Sequence, residues 1–316
     1  MPTNRREFLL TMGLATPSYG LIATMLDSCT SKPSTQQSST TPTTFFKISL
    51  AEWSLNRALD SKKLDNLDFP IKARNDFGLS AVEYVNKFFK DKAKDTGYLT
   101  ELRKRCDDHG VTSVLIMCDD EGLLGDLDST RRQQAVENHY SWIEAAKFLG
   151  CHAIRVNCSG KGTREEVADA GAAGLRALCE YGQIVGINVI VENHGGYSSN
   201  GEWLSGVIKS VGLPNCGTLA DFDNFCTKND EKSKCEEWYD RYKGVREMMP
   251  FAKGVSAKTI DFDTDGNCVE TDYVKMLSIV KEAGYTGYLG VEYEGNQFSE
   301  DEGIKATIRL LEKWGG

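Results

Sequence analysis

Between residues 46 and 316, short apolar runs alternate with longer amphipathic stretches eight times. The runs at 46–55, 79–85, 111–118, 151–157, 187–192, 216–225, 252–263 and 287–295 read as strands. Their apolar character is nearly continuous, as expected of strands buried on both faces in a parallel sheet covered by helices. The intervening segments read as helices: one reaching Phe77, one ending near His109 and Gly110, then 129–149, 164–185, 200–211, 233–249, 271–283 and 300–314. In the stretch 129–149, Ala135, Trp142, Ile143, Ala146 and Leu149 fall at helical spacing and Gly150 stops it. Gly78, Gly110, Gly186 and Gly284 precede strands in the same way, as helix C-caps do. Eight strand–helix units favour a single (β/α)8 TIM barrel over an open sheet, and residues 46–316 match its usual size of about 250 residues. No GxGxxG follows the first strand, which argues against a dinucleotide fold.

The first 45 residues break this pattern. Arg5 and Arg6 are followed by Phe8, Leu9 and Leu10 and by an apolar stretch to Leu26, the charged start and hydrophobic middle of a twin-arginine export signal. Gly13, Pro17 and Gly20 interrupt it too often for a membrane span. Leu26-Asp27-Ser28-Cys29 resembles a lipoprotein processing site with Cys29 as the lipidated residue; the alternative is simple signal cleavage. Ser, Thr, Pro and Gln fill the next positions, a composition that cannot bury a core. The expected organisation is a signal at 1–29, a flexible linker at 30–45 and the barrel at 46–316. The expected partners are the twin-arginine export machinery and, through a lipid anchor only, the membrane of the cell envelope or periplasm.

A net charge of −9 argues against nucleic acid, which demands a basic face. The ten cysteines contain no CxxC pair, so a structural zinc site is not expected. Cys118, Cys151 and Cys158 lie in strand-like runs and read as small buried thiols, and no disulfide framework emerges.

The polar groups that end the apolar runs carry the chemistry. NVIVENHGG (188–196) ends on Glu192, CGTLADFDNF (216–225) on Asp221, AKGVSAKTIDFD (252–263) on Lys258 and Asp261, and GYLGVEYEG (287–295) on Glu292. Parallel strands all point to one barrel mouth, so Glu192, Asp221 and Glu292 can surround one point. Three hard oxygen donors suit Mn²⁺ or Mg²⁺. The competing expectation is a structural network in which these acids pair with Arg155, Lys258 or Lys253. Lys258 reads as a stabiliser of developing negative charge, and His194 as proton carrier, metal ligand or hydroxyl donor. Trp53, past the first strand, offers an apolar wall or plain core packing, and Glu83, Arg155 and Asn157 end two further strands as candidate binding groups.

Over residues 46–314 these strand ends resemble the xylose isomerase-like barrel superfamily, the sugar phosphate isomerase/epimerase group. In its epimerase branch a Glu, an Asp, a His and a Glu ending the last four strands hold a metal, and the two Glu residues act as acid and base. By position Glu192, Asp221 and Glu292 match. The His is replaced by Ser256, and a further His three residues beyond the Asp is replaced by Asn224. The resemblance implies a catalytic set of Glu192, Glu292, Lys258 and His194, with Trp53, Glu83, Arg155, Asn157, Asn224 and Ser256 near the substrate. It implies metal-assisted proton transfer next to a carbohydrate carbonyl, on a non-phosphorylated sugar given the export signal. A lyase or hydratase acting on keto-glycosides shares that enolising step, and a carbohydrate-binding lipoprotein without catalysis is the third possibility. DNA repair on the same fold needs a cluster of zinc-binding histidines, and the chain has four histidines in all.

Overall fold

The computed structural model describes residues 44–316. The expected signal, Cys29 and all but the last two residues of the expected linker lie outside the described residues.

Among the described residues ten strands and nine α-helices follow one another. The strands are β1 (Lys47–Ala51), β2 (Ala81–Val85), β3 (Thr112–Met117), β4 (Ala153–Val156), β5 (Asn188–Glu192), β6 (Cys216–Asp221), β7 (Cys226–Asn229), β8 (Cys235–Trp238), β9 (Ala252–Thr259) and β10 (Tyr288–Tyr293). The helices are α1 (Asn56–Asp60), α2 (Phe69–Phe77), α3 (Thr96–His109), α4 (Ser129–Leu149), α5 (Arg164–Val185), α6 (Gly201–Val211), α7 (Arg241–Met248), α8 (Tyr273–Glu282) and α9 (Glu300–Trp314). Eight strands close in the order β1-β10-β9-β6-β5-β4-β3-β2, all parallel, so the chain is a TIM barrel. Helix ends follow local chemistry. Asp128 caps α4 by accepting from Thr130 and Arg131, and capping boxes Thr163/Glu166 and Ser299/Glu302 start α5 and α9. Gly150 and Gly186 close α4 and α5 at φ of 83° and 82°, a conformation that a side chain resists.

Two expectations need correction. Residues 233–249 do not form one helix: β7 and β8 pair as an antiparallel hairpin, and α7 starts only at Arg241, where Asp240 accepts from the Lys243 amide. The cysteines do include a disulfide, Cys226–Cys235, with a Cα separation of 5.8 Å, and it joins these two strands. Cys118, Cys151 and Cys158 are buried free thiols as expected. The apolar runs also overshoot their strands: the first leaves β1 after Ala51 for a 3₁₀ turn at Glu52–Leu55.

Two apolar cores follow from the period-two alternation of strand side chains. The outer core lies between strands and helices. The inner one fills the barrel with Ala51, Ala81, Val85, Leu115, Met117, Ala153, Ile190 and Leu219. Glu83 shares that interior. It accepts from Ser49 Oγ at 2.6 Å, and its Oε2 has no hydrogen-bond partner. Its carboxyl abuts Gly290, where an added Cβ would lie 2.6 Å from Oε2. Glu83 therefore sits two positions below Glu292 along the strands, under the mouth rather than at it. Burial pushes its carboxyl up to about 8; the Ser49 hydrogen bond opposes this, and the Glu292 and Glu192 charges add to it.

A carboxyl raised to about 8 in the folded chain from its ordinary 4.5 keeps a proton that the unfolded chain releases. This contribution to stability is full below about 4.5 and is lost as pH rises through about 8. Glu83→Gln cannot titrate, so urea melts between pH 5 and pH 8 should show a shallower loss of stability than the parent shows. Parallel pH profiles would contradict a protonated Glu83.

Candidate functional site

At the C-terminal mouth of the barrel the inward positions of β5, β6, β9 and β10 carry Glu192, Asp221, Lys258 and Glu292. One oxygen from each of Glu192, Asp221 and Glu292 lies within 4.8 Å of the other two, and all three residues are buried. Backbone geometry fixes Asp221 first. Its Oδ1 accepts the amides of Asp223 at 2.8 Å and Asn224 at 2.7 Å, while its Oδ2 has no hydrogen-bond partner. The Asp221 amide donates to Asn193 Oδ1 at 2.8 Å, and the Asn193 amide group donates to the carbonyls of Asp221 and Asn224, tying the ends of β5 and β6 together.

Each glutamate accepts a hydrogen bond at one oxygen and faces a cation at the other. Glu192 Oε1 accepts from Asn224 Nδ2 at 3.0 Å. Its Oε2 lies 2.8 Å from Arg155 Nε, an ion contact not aligned for a hydrogen bond. Glu292 Oε2 accepts from Ser256 Oγ, and its Oε1 lies 3.9 Å from Lys258 Nζ. The Lys258 ammonium is also 3.6 Å from Asp221 Oδ2 and 3.1 Å from Glu294 Oε1. Behind this layer Asp119 Oδ1 accepts from Arg155 Nη1 at 2.6 Å and from Asn157 Nδ2 at 2.8 Å.

The electrostatics follow from burying more acids than bases. Burial raises the Glu192 carboxyl; Asp221 and Asp119 add to this, and Arg155 and Lys258 oppose it. Burial likewise raises Glu292 against the pull of Lys258, with Glu192, Glu294 and Asp221 adding. For Lys258, burial works against the ammonium, but Asp221, Glu292, Glu294 and Glu192 outweigh it and push the pKa well up. Lys258 is a permanent cation here. The His194 ring is pushed down to about 4 by desolvation and then by the Arg155 and Lys258 charges. His194 is solvent-exposed, which screens part of that effect.

A cavity of about 570 Å³ opens above these groups, and Trp53, Arg155, Asn157, His194, Asn224, Lys258 and Glu292 border it. Trp53 packs on Phe88 with ring centroids 6.1 Å apart, under Lys87 Nζ at 5.1 Å from its ring. Glu192 and Asp221 lie beneath. Ser256 and Glu83 do not reach the cavity: the Ser256 hydroxyl is directed to Glu292, and Glu83 lies a layer deeper. Three bordering acids, Asp119, Asp120 and Glu294, are not singled out by the strand-end pattern as first read. Asp119 follows the third apolar run, VTSVLIMC, as the other acids follow theirs, and Glu294 repeats the two-residue step beyond Glu292.

The donor set fits a divalent cation. Three buried carboxylates converge, and Asp221 Oδ2 and Glu192 Oε2 have no hydrogen-bond partner. Glu192, Asp221 and Glu292 would hold the ion; Ser256 would not be a fourth ligand, and Lys258 would stand beside it.

Over residues 71–314 the chain matches the xylose isomerase-like TIM barrel family, and it belongs to that family. No curated protein matches it. Among solved structures it resembles the IolI protein with a bound zinc atom (TM-score 0.63, 17% identity, 85% of this chain and 99% of that one). It resembles D-psicose 3-epimerase, solved in the presence of D-fructose (TM-score 0.62, 13% identity, 86% and 100%). It also resembles the 3-keto-D-glucoside 4-epimerase YcjR of E. coli (TM-score 0.59, 14% identity, 84% and 98%). At these identities the likeness is one of fold.

Lys258→Met removes the ammonium from among Asp221, Glu292 and Glu294. In cation-free protein it should cost about 3–5 kcal/mol, the usual penalty for stranding buried charge. Added Mn²⁺ should then raise the thermal midpoint of the variant more than that of the parent. Equal shifts in both proteins would show that Lys258 and the cation do not share these carboxylates.

Proposed function

We propose that the protein is a sugar isomerase or epimerase that moves a proton on the carbon next to a carbohydrate carbonyl. The observation that carries this is the convergence of Glu192, Asp221 and Glu292 within 4.8 Å, beside a buried ammonium and under a cavity large enough for a sugar. The resident cation is Mn²⁺ or Mg²⁺, favoured by three carboxylate oxygens with no sulfur or imidazole among them. Such an ion polarises a carbonyl and fixes the oxygens beside it.

The chain's own groups supply the rest. Glu192 and Glu292 stand on β5 and β10, separated around the barrel by β6 and β9. In the cation-free site burial raises both carboxyls, and a carboxyl placed beside the sugar carbon can take or return a proton. Glu292 Oε1 removes the proton from one face of the sugar carbon and Glu192 returns one from the other; with a shared face the outcome is isomerisation. The Ser256 hydroxyl holds the far oxygen of Glu292 in place. Lys258 faces the oxygen that becomes negative, and Arg155, Asn157 and His194 hold hydroxyls around the ring while Trp53 walls one side.

The substrate is a non-phosphorylated sugar met outside the cytoplasm. The twin-arginine motif, Cys29 and the Ser/Thr-rich segment support export and a lipid anchor, and the Cys226–Cys235 disulfide fits an oxidising compartment. The second reading is a lyase acting on keto-glycosides. Removing the same proton and expelling the group on the next carbon needs no residue beyond those already named, and the glycosides that YcjR's name describes are one candidate class.

Incubating metal-loaded protein with free and 3-keto sugars in D₂O tests the proposal. Deuterium should enter at the carbon beside the carbonyl, and Glu192→Gln and Glu292→Gln should each lower kcat about 10²–10⁴-fold. Release of an aglycone would favour the lyase. Absence of exchange on every sugar would leave a binding protein, and full activity in both variants would overturn the roles given to the two glutamates.

A further inference from the structure

A second cleft of about 530 Å³ lies beside the first at the barrel mouth and plays no part in the mechanism above. Its walls come from three segments and from Arg164 at the start of α5. The loop after β4 contributes Cys158–Gly162, the loop after β5 contributes Gly195–Tyr197, and the β7–β8 hairpin contributes Thr227, Lys228 and Glu237. The same segments border the first cavity one step earlier. Asn157 faces the first and Cys158 the second; His194 faces the first and Gly195 the second; Asn224 and Thr227 divide between them. Adjacent residues of the same segments line the two spaces, so they lie side by side at the barrel mouth, each within the range of about 300–1,000 Å³ that holds a small ligand.

The second cleft is a built structure. The Tyr197 hydroxyl donates to the Gly162 carbonyl at 3.1 Å and joins the two loops, and the Tyr197 ring packs on Trp203 at 5.8 Å. The Tyr239 amide donates to the Phe225 carbonyl at 2.9 Å, and the disulfide ties the hairpin strands. The lining mixes an aromatic ring, exposed backbone of Ser159–Gly162, and the charged heads of Lys161, Arg164 and Glu237. An apolar face framed by donors and acceptors of both kinds is what a pyranose ring with its hydroxyls requires.

We propose that the second cleft binds the second sugar unit of a glycoside whose first unit sits over Glu192, Asp221 and Glu292. This rests on the sugar reading given above and narrows it: a monosaccharide would fill one cavity and leave an equal space beside it empty. The substrate class is thus a disaccharide, and the hairpin is the wall that selects it. Cys226 and Cys235 bond the two strands that carry Thr227 and Glu237, so they hold that wall in shape.

The test compares the binding of 3-ketolactose, 3-ketosucrose and 3-ketotrehalose with that of 3-keto-D-glucose by isothermal titration to the metal-loaded full chain. Thr227→Trp and Lys161→Trp each place an indole in the second cleft from opposite walls, on partly or fully exposed positions away from the carboxylates. At least one disaccharide should bind tenfold or more tighter than the monosaccharide. Both variants should lose that advantage while binding of 3-keto-D-glucose is unchanged. A disaccharide that shows the advantage without proton exchange sustains the cleft and sinks only the epimerase reading. If no disaccharide binds tighter than 3-keto-D-glucose, or if the variants weaken both classes equally, the second cleft is not a sugar subsite.

Discussion

Three carboxylates buried within 4.8 Å of one another repel, and the mouth of this barrel is organised around that repulsion. At an effective dielectric of about 20, two unit charges 4 Å apart interact by roughly 4 kcal/mol, a large fraction of a domain's net stability. The chain answers it with two buried cations. Arg155 faces Glu192 and Asp119, and Lys258 faces Asp221, Glu292 and Glu294. These answers are incomplete: Glu192 and Glu292 remain raised, and one oxygen each of Asp221 and Glu192 has no hydrogen-bond donor. An acid cluster left short of positive charge is a seat for a cation.

The barrel makes the cluster unavoidable. Parallel strands deliver every C-terminus to one mouth, and the two-residue step of each strand turns Glu192, Asp221, Lys258 and Glu292 inward together. The same step carries Glu83 inward one layer deeper, where Ser49 is its hydrogen-bond partner and Gly290 leaves room for its carboxyl. Depth inside the barrel therefore separates Glu83, which does not border the cavity, from the acids at the mouth. The hairpin inserted after β6 adds what the barrel itself lacks, a wall that extends the mouth sideways.

Much of this was legible in the chain. Helices α4, α5 and α9 run at 129–149, 164–185 and 300–314 as expected because caps mark their ends: Asp128 and Gly150, Thr163 with Glu166, Ser299 with Glu302. The four strand-end residues were legible because apolar runs stop on them. The hairpin was not, since Glu236, Glu237 and Lys232 dominate a segment whose alternation spans only four residues per strand. Its disulfide links cysteines nine positions apart, which no spacing rule singles out. Pairings such as Asp119 with Arg155, or Ser256 with Glu292, depend on barrel register, and register is set by the whole sheet. Ser256 shows the cost of reading a position by analogy: it stands where a metal-binding residue is expected, yet it serves the neighbouring glutamate.

The central claim is that residues 192, 221 and 292 share one cation, and manganese paramagnetic resonance tests it most directly. Titrating Mn²⁺ into metal-stripped protein should quench the free-ion signal until one equivalent is bound, and Asp221→Asn should abolish that quenching. Free Mn²⁺ that keeps its full signal in the parent protein, or an unchanged equivalence point in the variant, would contradict the account.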